Sequence, residues 1–140
     1  MAEKTFYNPS VGVWVAIEAP NAEVMATYPA GTVEIPSQPS VLHTWNGSSW
    51  DAPTTDAIRA RQAEIARARR DDMLRYQVDP VVTNPLRWAA LSEAEQQEVS
   101  AYRQALLDVT NQAGFPQNIN WATRPSVLPA IKVEWDENIL

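Results

Sequence analysis

Eleven prolines stand against only four glycines in the 140 residues of this chain, and their placement decides which elements can be long. Each proline fixes φ, removes a backbone donor, and stops a helix or bars a central strand. Pro9, Pro20, Pro29, Pro36, Pro39 and Pro53 divide the first 53 residues into short pieces. Only short strands and turns fit there. Residues 54–79 contain neither Pro nor Gly, so one helix can continue through them. Beyond, Pro80, Pro85, Pro116, Pro125 and Pro129 leave room for one further uninterrupted helix.

Charge follows the same division. The formal net charge is −6, yet residues 1–53 hold Lys4 against five acids, residues 54–79 hold six arginines against five acids, and residues 80–140 hold four cations against seven acids. The positive charge is concentrated in the proline-free helix. An acidic chain is a poor ligand for phosphate backbones, since non-specific nucleic-acid affinity comes from Lys and Arg displacing counterions. Nucleic acid is not expected as a partner. No stretch approaches the roughly 20 apolar residues that cross a bilayer, and the polar start Met1-Ala2-Glu3-Lys4-Thr5 leads into no apolar run of secretory length, so neither membrane insertion nor a signal peptide is expected.

Local patterns assign the short pieces. Phe6-Tyr7 and Val11 to Ile17 read as a hairpin around Asn8-Pro9-Ser10. Asn21 caps a short turn over residues 22–26, and Thr32-Val33-Glu34-Ile35 alternates like a strand. Asn46-Gly47 predicts a type I′ turn that places Trp45 and Trp50 on opposite arms. The helix over residues 55–76 carries a thin apolar stripe of Ile58, Ile65, Met73 and Tyr76, with Arg67, Asp71 and Arg75 at i,i+4 spacing. Ser92 and Glu95 form a capping box. Val99, Tyr102, Leu106, Val109 and Ala113 then line one face, and Gly114 is expected to end the helix in the left-handed region. The face formed by Val99, Tyr102, Leu106 and Val109 is expected to pack on the Ile58, Ile65, Met73 side of the first helix. After Pro125 and Pro129, Ile131, Val133 and Trp135 alternate with Lys132 and Glu134 in a short extended segment.

Chemistry-bearing constellations are sparse. With no cysteine and one histidine, His43, the chain has no disulfide, thiolate metal site or thiol catalysis, and His-rich metal sites and His-based catalytic arrangements are not expected. Phosphate-binding loops, Rossmann glycine patterns, nucleophile elbows, HExxH and calcium loops do not occur. Asp71 and Asp72 point about 100° apart on a helix and do not converge as an acid/base pair. Asp136-Glu137 is the other acidic pair. No catalytic, cofactor-binding or metal-ligating residue is therefore assigned. The aromatic residues are the candidates for partner contact, because interface hot spots favour Trp, Tyr and Arg at desolvated centres, although the tryptophans also suit a compact β-core.

One block of sequence has a known likeness. The run Arg70-Asp71-Asp72-Met73-Leu74, then Leu91-Ser92-Glu93-Ala94-Glu95, then Tyr102-Arg103-Gln104-Ala105-Leu106-Leu107-Asp108-Val109, closes with Gly114-Phe115-Pro116-Gln117-Asn118-Ile119-Asn120-Trp121. Over residues 69–124 this resembles the phage tail assembly chaperone domain found at the C-terminal end of many tail fibre assembly proteins. It departs from that pattern at Tyr76-Gln77-Val78-Asp79, where Asp-Trp is common, and at Trp121-Ala122, where Trp-Pro is usual. The front part, with Val24 to Gly31 and Trp45 to Trp50, is similar to the β-region that accompanies the module.

The expected fold is α+β: a small N-terminal antiparallel β-region over residues 1–53, a long connecting helix over 54–79, a C-terminal helical unit over 80–125, and an extended arm over 126–140. The resemblance implies a non-enzymatic phage tail fibre assembly chaperone without cofactors, which binds the C-terminal end of the fibre protein and assists its folding or trimerisation in the host bacterial cytoplasm. The alternative is a structural or receptor-binding component retained at the fibre tip in the mature virion. Self-association through the thin helix is a further expectation. Partner contact is expected at Trp14, Trp45, Trp50, Trp121, Ile131, Val133 and Trp135, that is, at the β-region and the arm rather than at the charged helix.

Overall fold

The computed structural model describes residues 2–130, and the expectations on Ile131, Val133, Trp135 and Asp136-Glu137 fall outside those residues. The chain is α+β and divides after Thr54 into two compact units.

The first unit is built on a three-stranded antiparallel sheet in the order β2-β1-β3, with β1 at Lys4–Asn8, β2 at Gly12–Ala16 and β3 at Val33–Ile35. Asn8 does more than turn the chain. Its side chain accepts from Ser10 N at 2.9 Å, and its Nδ2 donates to Ala30 O at 3.1 Å and Thr32 Oγ1 at 3.2 Å. That buried amide ties the β1–β2 turn to the loop entering β3. Between β2 and β3, α1 (Ala22–Met25) is capped by Asn21 through Val24 N.

A second, two-stranded ribbon pairs β4 (Thr44–Trp45) with β5 (Trp50–Asp51). Trp45 and Trp50 are cross-strand partners, as the sequence predicts, but the turn is not type I′. That turn needs two residues at positive φ, whereas only Gly47, at φ 101°, adopts it here and no residue other than glycine does so among those described. The loop instead takes four residues, 46–49. The Asn46 side chain organises it, accepting from Ser48 N and Ser49 N at 2.9 Å each.

The second unit begins with α2 (Thr55–Met73), which passes into a π-helical turn over Leu74–Val78 and then α3 (Asp79–Val82), with Pro80 in its first turn. The short α4 (Pro85–Ala89) follows, capped by Asn84, and then α5 (Glu93–Leu107) with the full Ser92–Glu95 capping box. Alpha-helical winding thus changes at Leu74, where the sequence shows no breaker. The wider turn puts Gln77 and Val78 both inside, Val78 in the apolar core and the Gln77 amide on the Tyr102 hydroxyl at 2.6 Å.

The core of this unit comprises Val78, Val81, Val99, Tyr102, Leu106 and Leu128, with Met73, Leu74, Trp88, Leu91 and Trp121 packed around it. Val99, Tyr102 and Leu106 do share a buried face, and Met73 of the expected side packs against the core they form with Val78 and Val81, whereas Ile58 and Ile65 are not part of it. From α2 itself only Ala63 and Ala66 are buried. Leu128, in the stretch read as an extended arm, belongs to the core at 3% exposure. Burial pushes the Tyr102 phenol above its usual pKa, and the nearby Arg124 and Arg69 guanidiniums partly oppose that rise.

Helix α5 stops at Leu107 and a 3-10 turn follows over Val109–Asn111, so Ala113 is exposed and off the helical face. Gly114 is not in the left-handed region. It is required because the chain returns over it: a Cβ there would clash with the Asn118 carbonyl oxygen, and Asn118 N donates to Gly114 O at 2.7 Å.

Candidate functional site

The register of the sheet separates its two faces. Phe6 pairs with Trp14 and Glu34, so Lys4, Phe6, Trp14 and Glu34 share one face, while Thr5, Tyr7, Val13, Val15, Val33 and Ile35 share the other. On the first face Trp14 is half-buried, with its ring 5.9 Å from Phe6 and 5.3 Å from Tyr28, and Lys4 Nζ meets Glu34 Oε1 at 2.6 Å. This face has its own cover.

On the second face the β4–β5 ribbon covers part of the surface. Trp45 lies 6.2 Å from Tyr7 and 5.3 Å from Trp50, and Trp50 Nε1 donates to Pro36 O at 2.8 Å. Thr5 and Ile35 are buried, yet Val13, Val15 and Val33 stay 41–51% exposed, flanked by Val11 and Ile17 at 62% and 79%. Among the described residues β2 is an edge strand, so its apolar row stands beside backbone groups that no other described strand pairs, and from Val11 to Ile17 it bears no charge or proline to discourage pairing. The sequence reading chose the tryptophans as contact residues. The structure makes Trp14, Trp45 and Trp50 half-buried members of aromatic clusters and leaves the valines outside. Their strict alternation was the available signal.

In the second unit, α2 and the loop over residues 114–121 enclose an open groove of about 330 Å³, lined by Gln62, Ile65, Ala66, Arg69, Pro116, Gln117, Ile119 and Trp121. The loop is clamped by Gln112, which donates to Asn120 O at 2.9 Å and accepts from Asn120 N at 2.8 Å. The Arg69 guanidinium sits 4.7 Å from the Trp121 ring centre, and that of Arg67 sits 5.5 Å from Phe115. Trp121, a predicted contact residue, is thus half-buried between the core and Arg69. Along α2, Arg61 pairs with Glu64, and Asp71 is held by Arg70 at 2.7 Å.

His43 makes local loop contacts, with Nδ1 2.8 Å from Ser40 Oγ. Among the described residues no group of three or more His, Asp or Glu side chains is placed to hold a metal, and no helix is long and apolar enough to cross a membrane. Neither surface gathers groups for acid/base or nucleophilic chemistry; both can bury apolar side chains and pair backbone.

Residues 63–126 match the family model for the phage tail assembly chaperone protein. The segment takes in the core of the helical unit except Leu128, and the groove lining except Gln62. No curated protein and no solved structure matches the chain.

Proposed function

We propose, from the match of residues 63–126 to the phage tail assembly chaperone family model, that this chain is a non-enzymatic assembly chaperone. It binds the C-terminal end of a tail fibre protein in the host cytoplasm and assists its folding or trimerisation. The observation that supports a holding role is the uncharged edge strand β2, with its bare row Val11, Val13, Val15 and Ile17. A fibre end must complete slow, non-local β-pairing, and its unpaired edges invite aggregation until three chains are in register. An apolar edge strand shields such an end by backbone pairing, and the alternate valines add contact area.

The test is co-expression with the fibre protein, followed by pull-down and measurement of soluble trimer. Val13→Lys with Val15→Lys changes exposed residues only and should abolish capture of the fibre while the chaperone's circular dichroism stays constant. Equal trimer yield without the chain, or capture unaffected by both lysines, would sink the reading. Stoichiometric presence in purified virions would replace it with a structural component of the fibre tip.

A further inference from the structure

Strand β2 and its two flanking residues read Val11-Gly12-Val13-Trp14-Val15-Ala16-Ile17, a run close to symmetric about Trp14. Valine stands on either side of the tryptophan, then the small residues Gly12 and Ala16, then the branched residues Val11 and Ile17. Reversing the run leaves its pattern of size and shape unchanged. Among the described residues no strand pairs with the outer side of β2. A strand with the same run, laid antiparallel, matches that edge position by position.

We propose that the partner of this edge in the free protein is a second copy of the chain, its β2 laid antiparallel about a two-fold axis through Trp14. Trp14 then faces its own copy, Val13 faces the partner's Val15, and Gly12 faces the partner's Ala16. Paired positions in this register differ by an even number, so both members of each pair turn their backbone N–H and C=O to the same side of their strand, and the ladder closes. On one face, branched side chains stand opposite branched ones. On the other, a Cβ on Gly12 would meet no atom within 4 Å, so that position leaves room beside the Trp14 rings. Charge points the same way. Two chains of net charge −6 repel, and they meet most readily where carboxylates stay apart. From Val11 to Ile17 there is none, and the next acid in sequence, Glu18, comes opposite Ser10. The two Glu18 side chains therefore lie at opposite ends of the pairing, roughly 25 Å apart and beyond the ~8 Å screening length of physiological salt. A five-residue strand on each side makes a contact smaller than the roughly 1,200 Å² of a lasting complex, so the dimer is a reversible one. The proposal rests on the fibre reading in one respect: both use the β2 edge, so the dimer keeps that edge paired until a fibre end displaces the second copy.

The chain has no cysteine, so an introduced thiol has no native competitor. Val13 and Val15 are exposed. A mixture of Val13→Cys chains with isotope-labelled Val15→Cys chains, oxidised with diamide, should give the mixed disulfide, because directly opposed residues stand about 5 Å apart at Cα, within disulfide reach. Either variant alone should crosslink several-fold less, its two thiols being diagonal neighbours about 7–8 Å apart. In sedimentation velocity the wild-type chain should be monomeric near about 10 µM and increasingly dimeric toward about 1 mM. Val13→Lys with Val15→Lys sets like charges face to face and should stay monomeric throughout, with unchanged circular dichroism. Equal crosslinking in all three samples would overturn the proposal, and so would preferential crosslinking of either variant with itself, which moves the axis away from Trp14. A wild-type chain that stays monomeric at the highest concentration overturns it equally. The two readings fail separately. Fibre capture without the mixed disulfide removes the dimer and leaves the fibre reading standing, whereas the mixed disulfide in a protein that captures no fibre supports the dimer and sinks the fibre reading.

Discussion

The two units treat their apolar residues in opposite ways. In the helical unit, Val78, Val81, Val99 and Leu106 are sealed to 2% exposure or less, and even the polar pair Tyr102–Gln77 is closed on itself. In the sheet unit, Phe6 is equally sealed, but seven aliphatic side chains among the described residues, Val11, Val13, Val15, Ile17, Val24, Val33 and Val41, remain outside. A three-stranded sheet has two faces, and the rest of the unit covers one of them and only part of the other. The helical unit closes over its central aliphatic residues, leaving Leu86 and the groove open, and the sheet unit presents a whole row.

The strongest way to break this comparison is to weaken both cores equally. Phe6→Ala should cost the sheet unit about 3–5 kcal/mol, and Leu106→Ala should cost the helical unit about 2–5 kcal/mol, each read by thermal or urea unfolding. If Phe6→Ala were silent, the sheet would not depend on its inner face and the contrast would fail. Gly114→Ala comes next. The added methyl meets the Asn118 carbonyl, and a cost of about 1–3 kcal/mol is expected, with the groove distorted because its far wall moves.

Tyr102→Phe leaves the buried Gln77 oxygen without its donor and should cost about 1–3 kcal/mol. It also carries a pH signature. The folded phenol has a raised pKa, so the unfolded chain loses this proton first, near pH 10. Its contribution is present in full below that value and disappears as pH rises through the higher folded pKa. Wild-type stability should fall more steeply than that of Tyr102→Phe above pH 10, and parallel curves would show that the hydroxyl is not sealed. The smallest effect is expected at the bare row: Val13→Thr or Val15→Thr should stay within about 0.5 kcal/mol of wild type in stability. A large loss there would mean that the row is covered within the molecule.

Much of this was legible in residue order. Proline spacing confined the front to short strands. The Ser92–Glu95 box marked the start of α5, Asn21 marked that of α1, and Asn8-Pro9-Ser10 turned the first hairpin. These are local devices, satisfied within a few residues, and sequence displays them directly. The i,i+4 ion pairs expected around Asp71 gave way to Arg70, because an exposed side chain takes whichever partner its rotamer meets first.

The sequence by itself also determined the segment 63–126, since a string such as Gly114-Phe115-Pro116-Gln117-Asn118-Ile119-Asn120-Trp121 depends on residue identity and not on shape. What tertiary structure alone decided were contacts between distant positions. Val99, Tyr102 and Leu106 repeat as a stripe on any helix, but nothing in that stripe names Val78, Val81 and Leu128 as its partners. The π-turn at Leu74–Val78 carries the Gln77 amide that meets Tyr102, 25 residues away. Gly114 is a glycine because the chain returns over it at Asn118, not because a helix ends there. Likewise, the alternation of Val11, Val13, Val15 and Ile17 is a signal in the sequence that the choice of tryptophans passed over, and only the extent of the β4–β5 ribbon decides that this row stays exposed. Periodicity specifies which side of an element is apolar; what covers that side depends on where the rest of the chain is packed.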